Sequence, residues 1–122
     1  MSPRASPLKN ARFKNAAPVF AALGDETRLR LVASLCSGGA RSIAQLTSGT
    51  DITRQAVTKH LLVLANAGLV RDTWAGRERL WEFEPTRLEE ARRSLNLIAE
   101  QWDHALNRLK TVLEDEQGGN PK

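Results

Sequence analysis

The 122-residue sequence has little of what secretion, membrane insertion or disulfide bonding requires. Its single cysteine, Cys36, excludes an internal disulfide, and no apolar signal segment opens the chain, so we expect a reduced, cytoplasmic compartment. The apolar runs are a handful of residues long, whereas a spanning helix needs about 20, which predicts no contact with a membrane. Tyrosine is absent and Trp and Phe number three each, too few for an extended surface that stacks single-stranded bases.

Catalytic patterns are missing as well. The two histidines, His60 and His104, are far apart in the sequence, and no serine or cysteine stands beside a base. No glycine-rich phosphate loop is present. We therefore expect a protein that is not an enzyme, with no catalytic residues and no cofactor.

What the chain does have is positive charge in its first two thirds. The net charge is +4, but residues 1–81 hold 12 basic and 5 acidic side chains, whereas residues 82–122 hold 6 and 9. The total alone does not establish a polyanionic partner, but its distribution predicts that the two parts face different partners.

The length and the 41% apolar content favour one compact domain. The opening MSPRASPLKNAR and the closing QGGNPK lack apolar periodicity. We predict a flexible basic arm over residues 1–14, a single domain over residues 15–116 and a disordered tail over residues 117–122.

Two helices are predicted at the start of the domain. The first runs from Ala16 to Leu23, with Pro18 in its first turn and Gly24 at its end. Asp25 caps the second, which stops at residues 37–39. Its predicted apolar face consists of Leu29, Val32, Leu35 and Cys36.

The next segment has the features of a helix-turn-helix over about residues 42–67. Ser42 and Gln45 form a capping box for a short helix that ends near Gly49. Thr53 caps a second helix over about residues 53–67, with an apolar face of Val57, Leu61 and Leu64. Its exposed patch consists of Arg54, Gln55, Thr58 and Lys59.

This patch has the chemistry of a major-groove reader. Arg54 and Lys59 can donate to guanine or to phosphates, Gln55 can pair with adenine, and Thr58 can meet a base edge or a thymine methyl. The alternative for each charge alone is a solvated helix face. For His60, phosphate contact and packing support both stay open.

A β-hairpin over about residues 69–84 follows, with a basic turn at residues 75–78. We predict that Trp74, Trp81 and Phe83 form its core rather than a base-stacking platform. Arg77 and Arg79 are expected to reach phosphates or the minor groove.

The last predicted helix begins at Thr86, after Pro85 ends the hairpin, and continues to about residue 115. It is about 45 Å long, more than a small domain covers with its own core. We therefore expect a second chain along its seam. Apolar residues recur at coiled-coil spacing at Leu88, Ala91, Leu95, Ile98, Trp102, Ala105, Leu109 and Val112.

Three stretches resemble the ArsR-type (ArsR/SmtB) winged helix-turn-helix regulators: VFAALGDETRLRL at residues 19–31, TRQAVTKHL at 53–61 and VLANAGLV at 63–70. The resemblance spans roughly residues 16–115. It implies a mainly α fold with a small β-hairpin, in the order α-α-α-α-β-β-α. It also implies a homodimer, built by the first and last helices, that binds a pseudo-palindromic operator in double-stranded DNA and usually represses nearby genes, often its own.

The candidate sites follow from these two lines of argument. The DNA-binding residues are Arg41, Ser42, Thr53, Arg54, Gln55, Thr58, Lys59, His60, Arg77 and Arg79. The dimer-interface residues are Val19, Phe20, Leu23, Leu95, Ile98, Trp102, Leu106 and Leu109. The alternative is a dimerisation or protein-interaction module that does not bind DNA.

The sequence departs from the metal-sensing members of this family, which carry cysteines in the helix corresponding to residues 42–49. Here that helix has no thiolate, and Asp103 and His104 point about 100° apart on the last helix. We therefore predict no metal site. Cys36 is interpreted as a core residue rather than a redox switch, and a small-molecule effector at the dimer seam stays open as the inducing signal.

Overall fold

The computed structural model describes residues 13–118. These residues fall into two compact units, one of residues 13–91 and one of residues 92–118. The predicted single domain over residues 15–116 therefore stays a prediction. Of the basic arm predicted for residues 1–14, Phe13 and Lys14 are helical, and residues 1–12 lie outside the described range.

The first helix, α1, spans Phe13–Leu23 and begins earlier than the predicted Ala16. Pro18 consequently lies inside the helix instead of in its first turn, which contradicts the prediction. A proline there removes one backbone hydrogen bond. Burial of Ala16, Val19 and Ala22 in the core offsets that loss.

The second helix, α2, spans Glu26–Gly38 and begins after the predicted cap, Asp25. Its buried residues are Leu31, Val32 and Leu35. The placement of Leu29 and Cys36 on this apolar face was wrong, because Leu29 is 51% exposed and Cys36 is exposed as a free thiol. The two lie seven positions apart and so share a helix face, which points to solvent.

The helix-turn-helix is present as predicted. Helix α3 spans Ile43–Thr47 and has the complete Ser42–Gln45 capping box. Helix α4 spans Arg54–Asn66, and the side chain of its cap, Thr53, accepts a hydrogen bond from the backbone of Ala56. The predicted apolar face of α4 is confirmed: Val57, Leu61 and Leu64 are buried.

The hairpin consists of β1, Val70–Ala75, and β2, Glu78–Phe83, paired antiparallel. The turn is tighter than the predicted four residues, because only Gly76 and Arg77 separate the strands. Gly76 adopts a φ of +64°, which a two-residue turn requires and glycine allows at little cost.

The hairpin is fixed to the core at its base. Trp81 is 1% exposed and Phe83 packs against the core, as predicted, and a bridge to Arg41 extends the sheet at Trp81. Trp74 is 62% exposed, so its assignment to the core was wrong. Its strand partner is Arg79, near the tip, where the core no longer reaches.

The last helix, α5, spans Pro85–Gly118. It begins at Pro85 instead of Thr86, because proline fits a first helical position and the side chain of Glu84 accepts hydrogen bonds from Thr86. It also continues through residues 117 and 118, where the disordered tail was predicted to begin. Residues 119–122 of that tail lie outside the described range.

Across residues 13–118, no helix combines the length and hydrophobicity that spanning a bilayer demands.

Candidate nucleic-acid interface

The N-terminal half of α4 presents a groove of about 690 Å³. Ile43 of α3 forms one side of it, which joins the two helices of the helix-turn-helix at this surface. The structure thus brings together the four polar side chains that sequence analysis placed in one exposed patch of α4. Their spacing puts them on one face of a helix whose other face is buried. The remaining lining residues are Arg54, Gln55, Thr58 and Lys59.

Two threonines in this region also form hydrogen bonds between their side chains and the nearby backbone of α4. Thr58 Oγ1 donates to the carbonyl of Arg54 at 2.8 Å, which leaves the hydroxyl oxygen as an acceptor. Thr53 Oγ1 accepts from the backbone N–H of Ala56 at 3.1 Å, so its hydroxyl proton can still be donated to a phosphate. Arg54, Gln55 and Lys59 are exposed. The exposed groove therefore has donors in excess, which suits an anionic or base-edge partner.

The two candidate residues before α3 differ from each other. Ser42 is 6% exposed, and its Oγ accepts from the backbone N–H of Gln45 at 3.1 Å. It therefore serves the cap and has almost no surface to offer DNA. Arg41 is half-buried, and its backbone exchanges hydrogen bonds of 2.9 and 2.7 Å with Trp81. Its guanidinium lies beside Gly38, at the carbonyl end of α2.

The basic residues of the hairpin are not equivalent. Arg79 forms an ion pair of 3.0 Å with Asp72, and its guanidinium lies 4.6 Å from the ring centre of Trp81. Arg71 pairs with Glu82 at 2.8 Å and with Glu84 at 3.2 Å. Within the described residues Arg77, in the turn, has no ion pair. Of the three hairpin arginines, Arg77 is therefore the one whose charge is not offset by a carboxylate of residues 13–118.

His60 contacts the protein itself. Its Nδ1 lies 3.2 Å from Nη1 of Arg28 and 3.9 Å from Oδ2 of Asp25. The backbone N–H of Arg28 and then the charge of its guanidinium lower the pKa of Asp25. Sequence reasoning missed this cluster because 32 positions separate Arg28 from His60. No local pattern signals a contact over that distance.

The predicted dimer residues divide between the two units. In α1, Val19 is buried with 2% of its surface exposed, Leu23 is partly buried against the core, and Phe20 is 38% exposed. Val19 thus has almost no surface to offer a partner. The α5 residues are 43–62% exposed, and they are Leu95, Ile98, Trp102, Leu106 and Leu109.

Metal-binding groups do not gather anywhere in the described part of the chain. Among residues 13–118, no three His, Cys, Asp or Glu side chains lie close enough to hold an ion together.

Comparison with known proteins identifies the class of protein that has this geometry. A family described as a helix-turn-helix domain matches residues 23–73. The chain is 34% identical over 95 residues to the HTH-type transcriptional regulator Rv2034 of Mycobacterium tuberculosis, covering 78% of this chain and 85% of the relative. It is 38% identical over 71 residues to the uncharacterised HTH-type transcriptional regulator YuzN of Bacillus subtilis, covering 53% and 77%.

A solved structure is similar over most of the chain. The ArsR-like transcriptional regulator from Rhodococcus sp. RHA1 has a TM-score of 0.68 and 34% identity, and the match covers 82% of this chain and 93% of that protein. The fold and these relatives define a DNA-binding transcriptional regulator with a winged helix-turn-helix. The chain belongs to the ArsR family of such regulators.

Proposed function

We propose that the protein is a sequence-specific repressor that reads double-stranded DNA with the N-terminal half of α4. The observation that carries this proposal is the groove in which Arg54, Gln55, Thr58 and Lys59 converge beside α3. An α-helix fits the major groove, where each base pair presents a distinct set of donors and acceptors. Arg54 and Lys59 donate to guanine or phosphate, Gln55 pairs with adenine, and Thr58 accepts from a base edge.

Residues around the groove are proposed to position the helix-turn-helix on the DNA duplex. Arg41 precedes the helix-turn-helix and Thr53 lies within it as the cap of α4. Both supply phosphate contacts, and Arg77 reaches the adjacent phosphates or minor groove from the hairpin turn. Ser42 contributes indirectly, by holding the start of α3. Such contacts fix register and orientation without reading sequence.

The functional unit in this proposal is a homodimer. The exposed side chains Leu95, Ile98 and Trp102 begin an apolar stripe that continues through Leu106 and Leu109. Apolar side chains at coiled-coil spacing bury their surface against a second helix, which supports pairing with another copy of the chain. For the first unit, we propose Phe20 and Leu23 of α1 as contacts with the second copy. A two-fold dimer reads two half-sites about 34 Å apart, which means a pseudo-palindromic operator.

The experiment is selection followed by footprinting. A random pool of duplexes is passed over the full chain, and the enriched sequence is compared with the DNA upstream of its own gene. We expect a pseudo-palindrome, protected on both half-sites, in that upstream DNA, which makes the protein autoregulatory. Enrichment of no sequence contradicts sequence-specific binding, whereas an asymmetric footprint contradicts the two-fold arrangement.

Release of the operator is proposed to need no metal ion. The segment 42–49, where metal-sensing members carry cysteines, has no thiolate in this chain, and on that ground we propose release by a small molecule or no ligand. Zinc, cadmium and arsenite should therefore leave the equilibrium affinity for the enriched duplex unchanged. Release by any of the three contradicts this expectation.

A further inference from the structure

Arg28 joins three segments of residues 13–91. Its backbone N–H donates to Asp25 Oδ2 at 3.0 Å, within the cap of α2. Its Nε donates to the backbone carbonyl of Ala22, in the last turn of α1. Its Nη1 lies 3.2 Å from His60 Nδ1, in α4. One side chain thereby connects α1 and α2 to the helix that bears the DNA-facing groove.

The chemistry of this contact depends on which ring nitrogen of His60 carries a proton. A guanidinium has donors and no acceptor, so the bond between Arg28 Nη1 and His60 Nδ1 requires an unprotonated Nδ1. The neutral ring then carries its proton on Nε2. Asp25 Oδ2, at 3.9 Å, is too far from Nδ1 to take its place with a hydrogen bond. The His60 side chain is 25% exposed.

The position of His60 in α4 connects the cluster to the groove. His60 directly follows Lys59 and lies two residues after Thr58, and both of these line the groove. Because α4 is a single helix of 13 residues, we expect a bond at one residue to influence the position of its neighbours through a shift or rotation of the helix. Val57, Leu61 and Leu64 are buried on one face of α4, and the contact between Arg28 and His60 adds a directional hydrogen bond to this packing.

We propose that Arg28 is a positioning residue for DNA recognition, which anchors α4 to the end of α1 through His60 and fixes the tautomer of that histidine. This inference rests on the proposed role of α4 as the reading helix. With Nδ1 occupied by Arg28, Nε2–H is the one hydrogen-bond donor of the His60 ring. Arg28 itself does not contact the DNA. The matched control is Arg30, an exposed arginine of α2, the helix that also contains Arg28. Among the described residues, Arg30 pairs only with Glu26.

The first test measures the tautomer without DNA. The full chain is labelled with ¹⁵N-histidine and carries His104→Gln, so that one imidazole remains. We expect the two ring nitrogens of His60 to give separate signals of an unprotonated Nδ1 and a protonated Nε2. Arg28→Met should move both signals toward those of a histidine in an unstructured peptide, whereas Arg30→Met should leave them in place. Unchanged signals in Arg28→Met overturn the inference.

The second test measures discrimination between two duplexes. One is the duplex enriched by the wild-type chain from a random pool, and the other has the same composition in shuffled order. Loss of a positioning bond should cost Arg28→Met about tenfold in affinity for the enriched duplex. Arg30→Met, which removes the same charge, should weaken both duplexes equally. An equal loss on both duplexes in Arg28→Met overturns the positioning role.

Conservative variants keep the result interpretable if Arg28→Met folds poorly. His60→Asn keeps an acceptor near the place of Nδ1 and should retain more discrimination than His60→Leu, which keeps none. Equal behaviour of these two variants contradicts the role of the bond. Failure of the wild type to prefer any duplex contradicts the proposed function, and the tautomer measurement still decides the contact of Arg28 with His60.

Discussion

Residues 13–91 contain a buried apolar core, whereas residues 92–118 leave most of their large apolar side chains exposed. In the first unit Leu61, Leu64 and Leu69 are fully buried, and the exposed groove of α4 is lined mainly by polar side chains. In the second unit Leu95, Ile98 and Trp102 are about half or more exposed. A water-soluble chain seldom leaves a long apolar stripe in solvent unless it binds something.

The difference separates two kinds of surface on one chain. The first unit has its own core, so its exposed polar side chains are free to meet a polar and charged partner such as DNA. The second lacks a core of its own within residues 92–118, and its apolar stripe is the surface on which we propose that a second copy of the chain binds. Net charge does not follow this division: residues 13–91 hold 10 basic and 9 acidic side chains and residues 92–118 hold 4 and 5, so the change of sign falls earlier, near residue 81.

The largest effect is expected from opening the core of the first unit. Leu61→Ala should lower the free energy of unfolding by about 2–5 kcal/mol, because Leu61 is fully buried and its removal leaves a cavity. Leu62→Ala, on the same helix but with 47% of the residue exposed, should change it by about 0.5 kcal/mol or less. Chemical denaturation of both variants at one protein concentration measures the contrast. Equal destabilisation would mean that the inner and outer faces of α4 are wrongly assigned.

The next effect concerns the apolar stripe. Trp102→Glu places a charge at its centre and should raise the dimer dissociation constant by about 100-fold, the range of an interface hot spot. Asn107→Glu adds the same charge at an exposed position away from the stripe and should leave the constant unchanged. Sedimentation equilibrium distinguishes the two. A monomeric wild type, or a dimer that tolerates Trp102→Glu, contradicts this interface.

A smaller effect should separate two arginines of the hairpin. Arg77→Ala should weaken binding to all DNA sequences alike and reduce the slope of log affinity against log salt by about 1. Arg79→Ala should leave that slope unchanged, because Asp72 and Trp81 already hold its guanidinium. Binding titrations at several salt concentrations measure both slopes. A lower slope in Arg79→Ala alone would reverse the assignment.

The smallest effect is a pH dependence at Asp25. The backbone N–H of Arg28 and then its guanidinium hold the pKa of Asp25 below its ordinary value of 3.8. The charged carboxylate therefore stabilises the fold above pH 3.8, and this contribution is lost as the pH falls through the lower, folded-state pKa. Asp25→Asn keeps a capping side chain. It should be less stable than the wild type at pH 7 and equal to it in strong acid; a constant difference in denaturation across this range argues against the charge.

Local signals explain which parts of the fold could be predicted. The caps Asp25, Ser42 and Thr53 and the buried face of α4 depend on residues within a few positions of each other, so the sequence contains them directly. The bounds of α1 and α5 differed because Pro18 and Pro85 are tolerated where the surrounding contacts favour helix.

The errors concern contacts between segments that are distant in sequence. Whether Cys36 or Trp74 is buried depends on how far the core extends, which periodicity does not encode. In the candidate site, the four groove residues were grouped correctly because they share one helix face. The difference between Arg77 and Arg79 and the contact of His60 with Arg28 depend on partners brought near by folding.

The most direct test of DNA reading by α4 is the ratio of affinities for the enriched duplex and its shuffled control. The wild type should prefer the enriched duplex strongly. Gln55→Ala and Arg54→Ala should each reduce that ratio by about 10-fold, the value of one lost base contact, with most of the loss on the enriched duplex. An unchanged ratio in both variants would contradict the assignment of α4 as the reading helix.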